Sequence, residues 1–213
     1  FGACQARLRD LMGDRRLRYL LVFKNNGVEA GSTISHSHTQ IIGLPVTPIT
    51  LRSELVASRS HYKETGRCLF CGQLEAELSS DRVVVQNDHC VAFTPYASRF
   101  PFEISISPKA HAHDFSVAPE TLLSGFSEIV HRVLGGLKTV LRDPPYNFAL
   151  HTSPNVDAEP CPIGHWDTLE NDFHWHLEII PRLTRVAGLE WGTGFYVNSM
   201  PPEDAAAFLR DAM

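Results

Sequence analysis

The chain has no apolar run near the ~20 residues a membrane span requires; its longest, such as Tyr19–Phe23 and Ile41–Val46, are far shorter. It has no surplus of basic charge. Lys and Arg total 19 against 24 Asp and Glu, so the net charge is −5 and no basic field advertises nucleic acid. Five cysteines in 213 residues are too few for a disulfide scaffold, and the odd count favours a reducing, cytoplasmic setting. With 43% hydrophobic and 20% charged residues, disordered, collagenous and coiled-coil chains are excluded. No basic leader with an apolar core precedes the first expected helix, Ala6–Met12. The chain opens on Phe1, and a preceding segment is expected to be missing.

What the chain does have is histidine, 11 in all and clustered in pairs, and an internal repeat. His36-Ser37-His38-Thr39-Gln40-Ile41-Ile42 recurs as His174-Trp175-His176-Leu177-Glu178-Ile179-Ile180, each copy running on to a proline, Pro45 or Pro181. The preceding segments match as well, Tyr19–Phe23 before Asn25-Asn26-Gly27 and Tyr146–Leu150 before His151–Asn155. This spacing predicts a duplicated unit of about 140 residues.

Periodicity predicts strands at Tyr19–Lys24 and His36–Leu44 around a loop, Asn25–Ser35. Thr50–Gly66 reads as a partly helical connection and Cys68–Gln73 as a turn. Arg82–Gln86, Cys90–Thr94 and Glu103–Pro108 form a meander, and Pro119–Leu141 carries apolar residues at helical spacing. Strands Tyr146–Leu150 and Phe173–Pro181 follow, joined by the loop Thr152–Asn171, and Pro202 opens a last helix. The expected fold class is α+β, an antiparallel sheet with a long helix packed on it. Residues 1–50 end a first unit, 51–67 connect, and 68–213 form a second unit carrying a zinc site.

On a strand, His36, His38 and Gln40 face one way and Ser37 and Thr39 the other. Two imidazoles and an amide in a row need polar partners or water. The upstream loop Asn25–Thr33, with its glycines and hydroxyls, is suited to cradling phosphate oxygens in front of that row. Cys68-x-x-Cys71 has metal-knuckle spacing, and thiolates with imidazoles suit tetrahedral zinc.

H-x-H-x-Q after such a loop, together with the stretch Phe173–Asn198, resembles the galactose-1-phosphate uridylyltransferase branch of the histidine-triad superfamily, close to ADP-glucose phosphorylases. Ser37 stands where many members have proline and is expected to be tolerated. The resemblance implies a histidine-triad-like fold in tandem units and a cytoplasmic homodimer with sites at the subunit interface. It implies ping-pong nucleotidyl transfer from UDP-glucose to galactose 1-phosphate through a nucleotidyl-His38 intermediate, with Gln40 bonding the phosphoryl oxygens. The alternatives are an ADP-glucose or dinucleotide phosphorylase taking inorganic phosphate, and a non-catalytic zinc and nucleotide-binding module. Asn25, Gly31, Ser32 and Thr33 match positions contacting nucleotide phosphates, and Arg185, Leu189 and Glu190 positions contacting the sugar phosphate. For structural zinc the match gives Cys68, Cys71, His111 and His174, with His113 as competitor to His111; a rival iron set is Glu54, His151, His174 and His176. Both sets claim His174. Glu178 would repel a phosphoryl group, so the second motif is expected to be inactive, and His61, His89, His131 and His165 carry no special role. By the repeat, cysteines serving the first unit would fall roughly 70 residues before Phe1, and the chain alone is expected to hold one metal firmly and catalyse poorly.

Overall fold

The computed structural model describes residues 1–160 and 166–213; His165 and Cys161 lie outside the described residues. Seven strands form one sheet: β1 Tyr19–Asn26, β2 Gln40–Leu44, β3 Val83–Gln86, β4 Cys90–Phe93, β5 Ile104–Pro108, β6 Tyr146–His151 and β7 His176–Pro181. Their order is β2-β1-β6-β7-β5-β4-β3, and every pairing is antiparallel. The class is α+β, as the sequence implies.

The two faces of the sheet are covered differently. Leu20, Val22, Phe148, Leu150, Leu177 and Ile179 point to one side, into the main core. There they meet the long helix α4, Glu120–Leu141, which buries Leu123, Phe126, Ile129, Val130, Val133 and Leu137 on one stripe. Pro119 precedes the helix, and Arg142 in left-handed geometry ends it. An edge-to-face cluster of Phe1, Phe115, Phe126 and Trp175 closes this core beside helix α1, Gly2–Met12. On the opposite face, helix α2, Ile49–Thr65, lays Leu51 and Leu55 over Tyr19, with Leu169 and Phe173 completing a smaller core.

Four elements differ from the sequence expectation. The Cys68 segment is not a turn but the N-cap of a ten-residue helix, α3, Leu69–Leu78. Strand β2 begins at Gln40, so His36–Thr39 runs outside the ladder. Strand β7 likewise begins at His176, not Phe173, because α5, Leu169–Asp172, occupies the approach. A short helix after β7, α6, Gly188–Thr193, was not anticipated. The chain closes with α7, Pro202–Asp211, whose Ala205, Ala206 and Leu209 join the main core.

The repeat is visible as two hairpins, β1–β2 and β6–β7, joined edge to edge by β1 and β6 in a single sheet. Phe23 opposes Gln40, and Ala149 opposes Glu178. With the histidine motifs superposed, Phe23 therefore corresponds to Ala149, one residue off the match that aligns Tyr19 with Tyr146. In a strand such a slip exchanges the faces.

Candidate active site and metal centres

Gly27 and Gly31 shape the loop that follows β1. Gly27 has φ 89°, and a Cβ there would lie 2.7 Å from Pro145 Cβ, so the backbone passes too close for any side chain. Gly31, with φ 86°, caps a short 3-10 turn, Val28–Ala30, in left-handed geometry. Asn147 on β6 ties the loop down, donating at 2.8 Å both to Asn25 Oδ1 and to the Ala30 carbonyl. Ser32 is held by its own turn, its hydroxyl donating to the Ile34 carbonyl at 2.7 Å, and Thr33 is exposed.

His38 follows this loop, half-buried. Its Nδ1 lies 2.8 Å from the His36 carbonyl. A carbonyl only accepts, so Nδ1 carries the proton and Nε2 carries the lone pair. Gln40, two residues on, pairs with Phe23, and strand alternation puts it on the face of Asn25 and Asn147. The loop, the imidazole and the amide thus share one region. Arg185, Leu189 and Glu190 do not join it through any hydrogen bond among the described residues. Arg185 and Leu189 are exposed; Glu190 accepts from its own backbone N–H and, at 3.0 Å, from that of Ala187, and these bonds lower its pKa.

Two clusters of potential metal donors gather around β6 and β7, with further donors from α2, α3 and the loop after β5. In the first, the ligand atoms of Cys68, Cys71, His111 and His174 all lie within 4.8 Å of one another. Cys71 Sγ is 3.2 Å from His111 Nδ1 and 3.5 Å from His174 Nδ1. Tetrahedral zinc spaces thiolate and imidazole ligands about 3.3–3.8 Å apart, so the donor set and its spacing fit such an ion. His111 donates its other ring nitrogen to the Glu170 carbonyl at 2.9 Å, fixing the tautomer that leaves Nδ1 free to ligate. Burial and the neighbouring Cys68 push the Cys71 thiol up to about 12, and burial with His111 and His176 nearby drops His174 to about 3. His113 lies outside this quartet; its carbonyl accepts from the Ser153 hydroxyl at 2.7 Å.

The second cluster is Glu54, His151, His176 and Glu178. His151 Nδ1 is 3.1 Å from the Glu54 carboxylate, while His176 Nε2 is 3.9 Å from it and His151 Nε2 is 3.9 Å from Glu178. His174 therefore belongs with the cysteines, and Glu178 stands where the rival iron set had His174. Arg99, which sequence reasoning missed, forks between Glu103 and Glu178 at 2.7 Å each. Arg99, His151 and His176 hold the Glu178 carboxyl below its ordinary range despite burial. Glu54 and Glu178 raise His151 against the opposing effect of burial. A cavity of about 210 Å³ lies against both clusters, lined by Phe70, Gln73, Arg99, His174 and Glu178 among others. His151 is four residues along β6 from Asn147, the partner of Asn25, so the second cluster sits about 13 Å along the strand from the His38 end. A larger cavity, about 490 Å³, opens at the far end of β2 between α2 and Trp166, away from His38.

The fold, the glycine-shaped loop and the histidine row are features by which the chain can be placed in a family. The chain belongs to the family described as Domain of unknown function (DUF4921), matched over residues 4–213, and it groups by similarity with galactose-1-phosphate uridylyltransferases and ADP-glucose phosphorylases. It is 36% identical over 210 residues to the ADP-glucose phosphorylase of Arabidopsis thaliana, covering 98% of this chain and 56% of that protein. It is 29% identical over 212 residues to a galactose-1-phosphate uridylyltransferase of Thermotoga maritima, covering 96% and 64%. The crystal structure of the Arabidopsis phosphorylase with bound ADP-glucose superposes with a TM-score of 0.87 at 35% identity, over 98% of this chain and 64% of that one. A uridylyltransferase structure gives 0.87 at 31%, over 99% and 65%. The chain thus spans between half and two thirds of the curated relatives named. Among the described residues no helix is long and apolar enough to cross a membrane.

Proposed function

We propose that the protein transfers a nucleoside monophosphate from a nucleotide sugar to a phosphate acceptor through a nucleotidyl-His38 intermediate. The observation that supports this most is the 2.8 Å contact of His38 Nδ1 with the His36 carbonyl. It dedicates Nε2 to nucleophilic attack beside a glycine-shaped loop. In the first half-reaction the Nε2 lone pair forms a bond to the α-phosphorus. The bond to the bridging oxygen breaks, and sugar 1-phosphate leaves with that electron pair. This leaving group has a second pKa near ~6, so it departs without a strong general acid. In the second half-reaction an acceptor phosphate oxygen attacks phosphorus and the P–N bond breaks, restoring the imidazole. Neutral imidazole, with its lone pair on Nε2, is the attacking form. Loop N–H groups with Asn25, Gly31, Ser32 and Thr33 bind the phosphates. Gln40 bonds the phosphoryl oxygens without offering an acidic proton, which favours transfer over hydrolysis. Arg185, Leu189 and Glu190 supply the sugar-phosphate contacts, and the protein works as a homodimer whose sites border the subunit interface.

Of the possible donors and acceptors, the sequence reading put UDP-glucose and galactose 1-phosphate first. The higher identity to the Arabidopsis phosphorylase, 36% against 29%, favours ADP-glucose with inorganic phosphate. Zinc held by Cys68, Cys71, His111 and His174 closes all four positions and is structural, tying α3 to the loop after β5 and to the entry of β7. Glu54, His151, His176 and Glu178 form an oxygen and nitrogen set suited to a second cation such as iron. On this reading residues 1–50 end one histidine-triad-like unit, and residues 68–213 make up a second whose own motif no longer reacts. The discriminating assay incubates the protein with ADP-glucose or UDP-glucose and either inorganic phosphate or galactose 1-phosphate. ADP-glucose with phosphate is expected to give the fastest release of glucose 1-phosphate. Faster turnover of UDP-glucose with galactose 1-phosphate would restore the first ranking.

A further inference from the structure

The nucleophile's segment leaves the sheet before it reaches His38, so something other than the ladder must hold it. Strand β2 begins at Gln40, and residues 36–39 make none of the β1–β2 backbone pairings. The holding group is Lys24. It lies on the β1 face opposite Asn25, 7% exposed. Its ammonium donates to Ser37 Oγ at 2.5 Å and to the His38 carbonyl at 3.3 Å. Among the described residues no carboxylate pairs with it. A buried ammonium without an anion is costly unless oxygens satisfy it, and these two oxygens belong to the reacting segment.

We propose that Lys24 and Ser37 form a latch that positions the His38 imidazole for attack, which makes both of them positioning residues. Two of the three N–H donors of Lys24 fasten consecutive residues of a segment that the strand itself does not hold. His38 is then fastened twice, through its carbonyl to Lys24 and through its ring to the His36 carbonyl. This assigns a task to Ser37, which alternation alone had left idle on the far side of the row. A proline at that position offers no side-chain oxygen and would break the latch. Burial lowers the Lys24 pKa.

The latch deepens the nucleotidyl-transfer reading and rests on it. Its test measures, by NMR, solvent exchange of the His38 Nδ1 proton bonded to the His36 carbonyl, and the rate of histidine labelling against the concentration of ADP-glucose or UDP-glucose labelled in the α-phosphate. Lys24→Met is expected to speed exchange at least tenfold. It is also expected to lower the limiting labelling rate at least tenfold, with the half-saturating concentration within threefold of wild type. Lys24→Arg, which keeps the cation, is expected to recover most of the rate. Ser37 is exposed, so Ser37→Ala folds normally and moves both readouts in the same direction by a smaller factor. Unchanged exchange and labelling in Ser37→Ala would overturn the latch. So would a Lys24→Met effect confined to the half-saturating concentration, since that makes Lys24 a binding group only. Absence of label in the wild type would overturn the transfer reading instead, and the exchange measurement would still decide whether the latch exists.

Discussion

Removing the metal from Cys68, Cys71, His111 and His174 is expected to lower the melting temperature by about 8–16 °C, from the following geometry. A tetrahedral ion there links Cys71 to His111 across 40 residues and to His174 across 103. Treated as a covalent tie on the unfolded chain, the shorter loop alone contributes about 4 kcal/mol, and the longer about 5 kcal/mol. The two loops are nested and a metal bond exchanges more readily than a disulfide, so the smaller value is the appropriate one. In a chain of this size each kcal/mol moves the midpoint by about 2–4 °C. The assay is scanning calorimetry of zinc-loaded protein before and after dialysis against a strong chelator, with metal content measured in parallel. Cys71→Ser should melt close to the chelated wild type and gain nothing from added zinc. Glu54→Gln, which leaves the cysteine cluster intact, should retain the zinc-dependent shift. A wild-type midpoint that moves by less than 2 °C on chelation, in protein shown to have lost its zinc, would mean that the ion does not tie these segments together.

Gly27→Ala forces a Cβ to within 2.7 Å of Pro145 and a side chain into φ 89°. Strain of this kind costs about 1–3 kcal/mol, and urea unfolding should show a loss in that range together with slower labelling of His38. Phe126→Ala empties the centre of the aromatic cluster, where the Phe1 ring lies 4.7 Å away and the Trp175 ring 5.1 Å. It should cost about 3–5 kcal/mol by the same measurement. Burial raises the pKa of the Tyr19 phenol above its ordinary value, so the folded state keeps a proton that the unfolded chain releases. Its contribution is therefore intact below the unfolded pKa near ~10 and falls as pH rises past it. Between pH 9 and 11 wild type should lose about 1 kcal/mol more stability than Tyr19→Phe in paired urea titrations.

The parts of this fold that announce themselves in sequence are those with a strong period or a rigid spacing. Helix α4 was legible because Leu123, Phe126, Ile129, Val130, Val133 and Leu137 recur at helical intervals. The cysteine pair was legible because Cys-x-x-Cys spacing carries its own chemistry, whereas His111 and His174, which the structure brings beside it, came only through the family resemblance. What stayed hidden depended on distant partners. Glu178 read as a carboxylate that would repel phosphate; in the structure it is an ion-pair partner of Arg99, 79 residues away, within the buried Glu54 cluster. Nothing local to Glu178 points to that guanidinium. The Cys68 turn proved to be the start of α3, because a two-residue gap between cysteines fits the first turn of a helix as well as a knuckle. Strand alternation assigned His36, His38 and Gln40 to one face, yet the ladder begins only at Gln40. The segment before it is held by side chains, including Lys24, whose part no periodicity reveals.

Transfer through His38 requires that this imidazole become covalently nucleotidylated. The most direct measurement exposes the protein to a nucleotide sugar labelled in its α-phosphate, denatures it in base, and locates the label by peptide mass before and after acid treatment. A single acid-labile nucleoside monophosphate is expected on His38, removed by added acceptor phosphate and absent from His38→Ala. Label that survives in His38→Ala, or a wild-type protein that binds nucleotide and acquires none, would contradict that transfer.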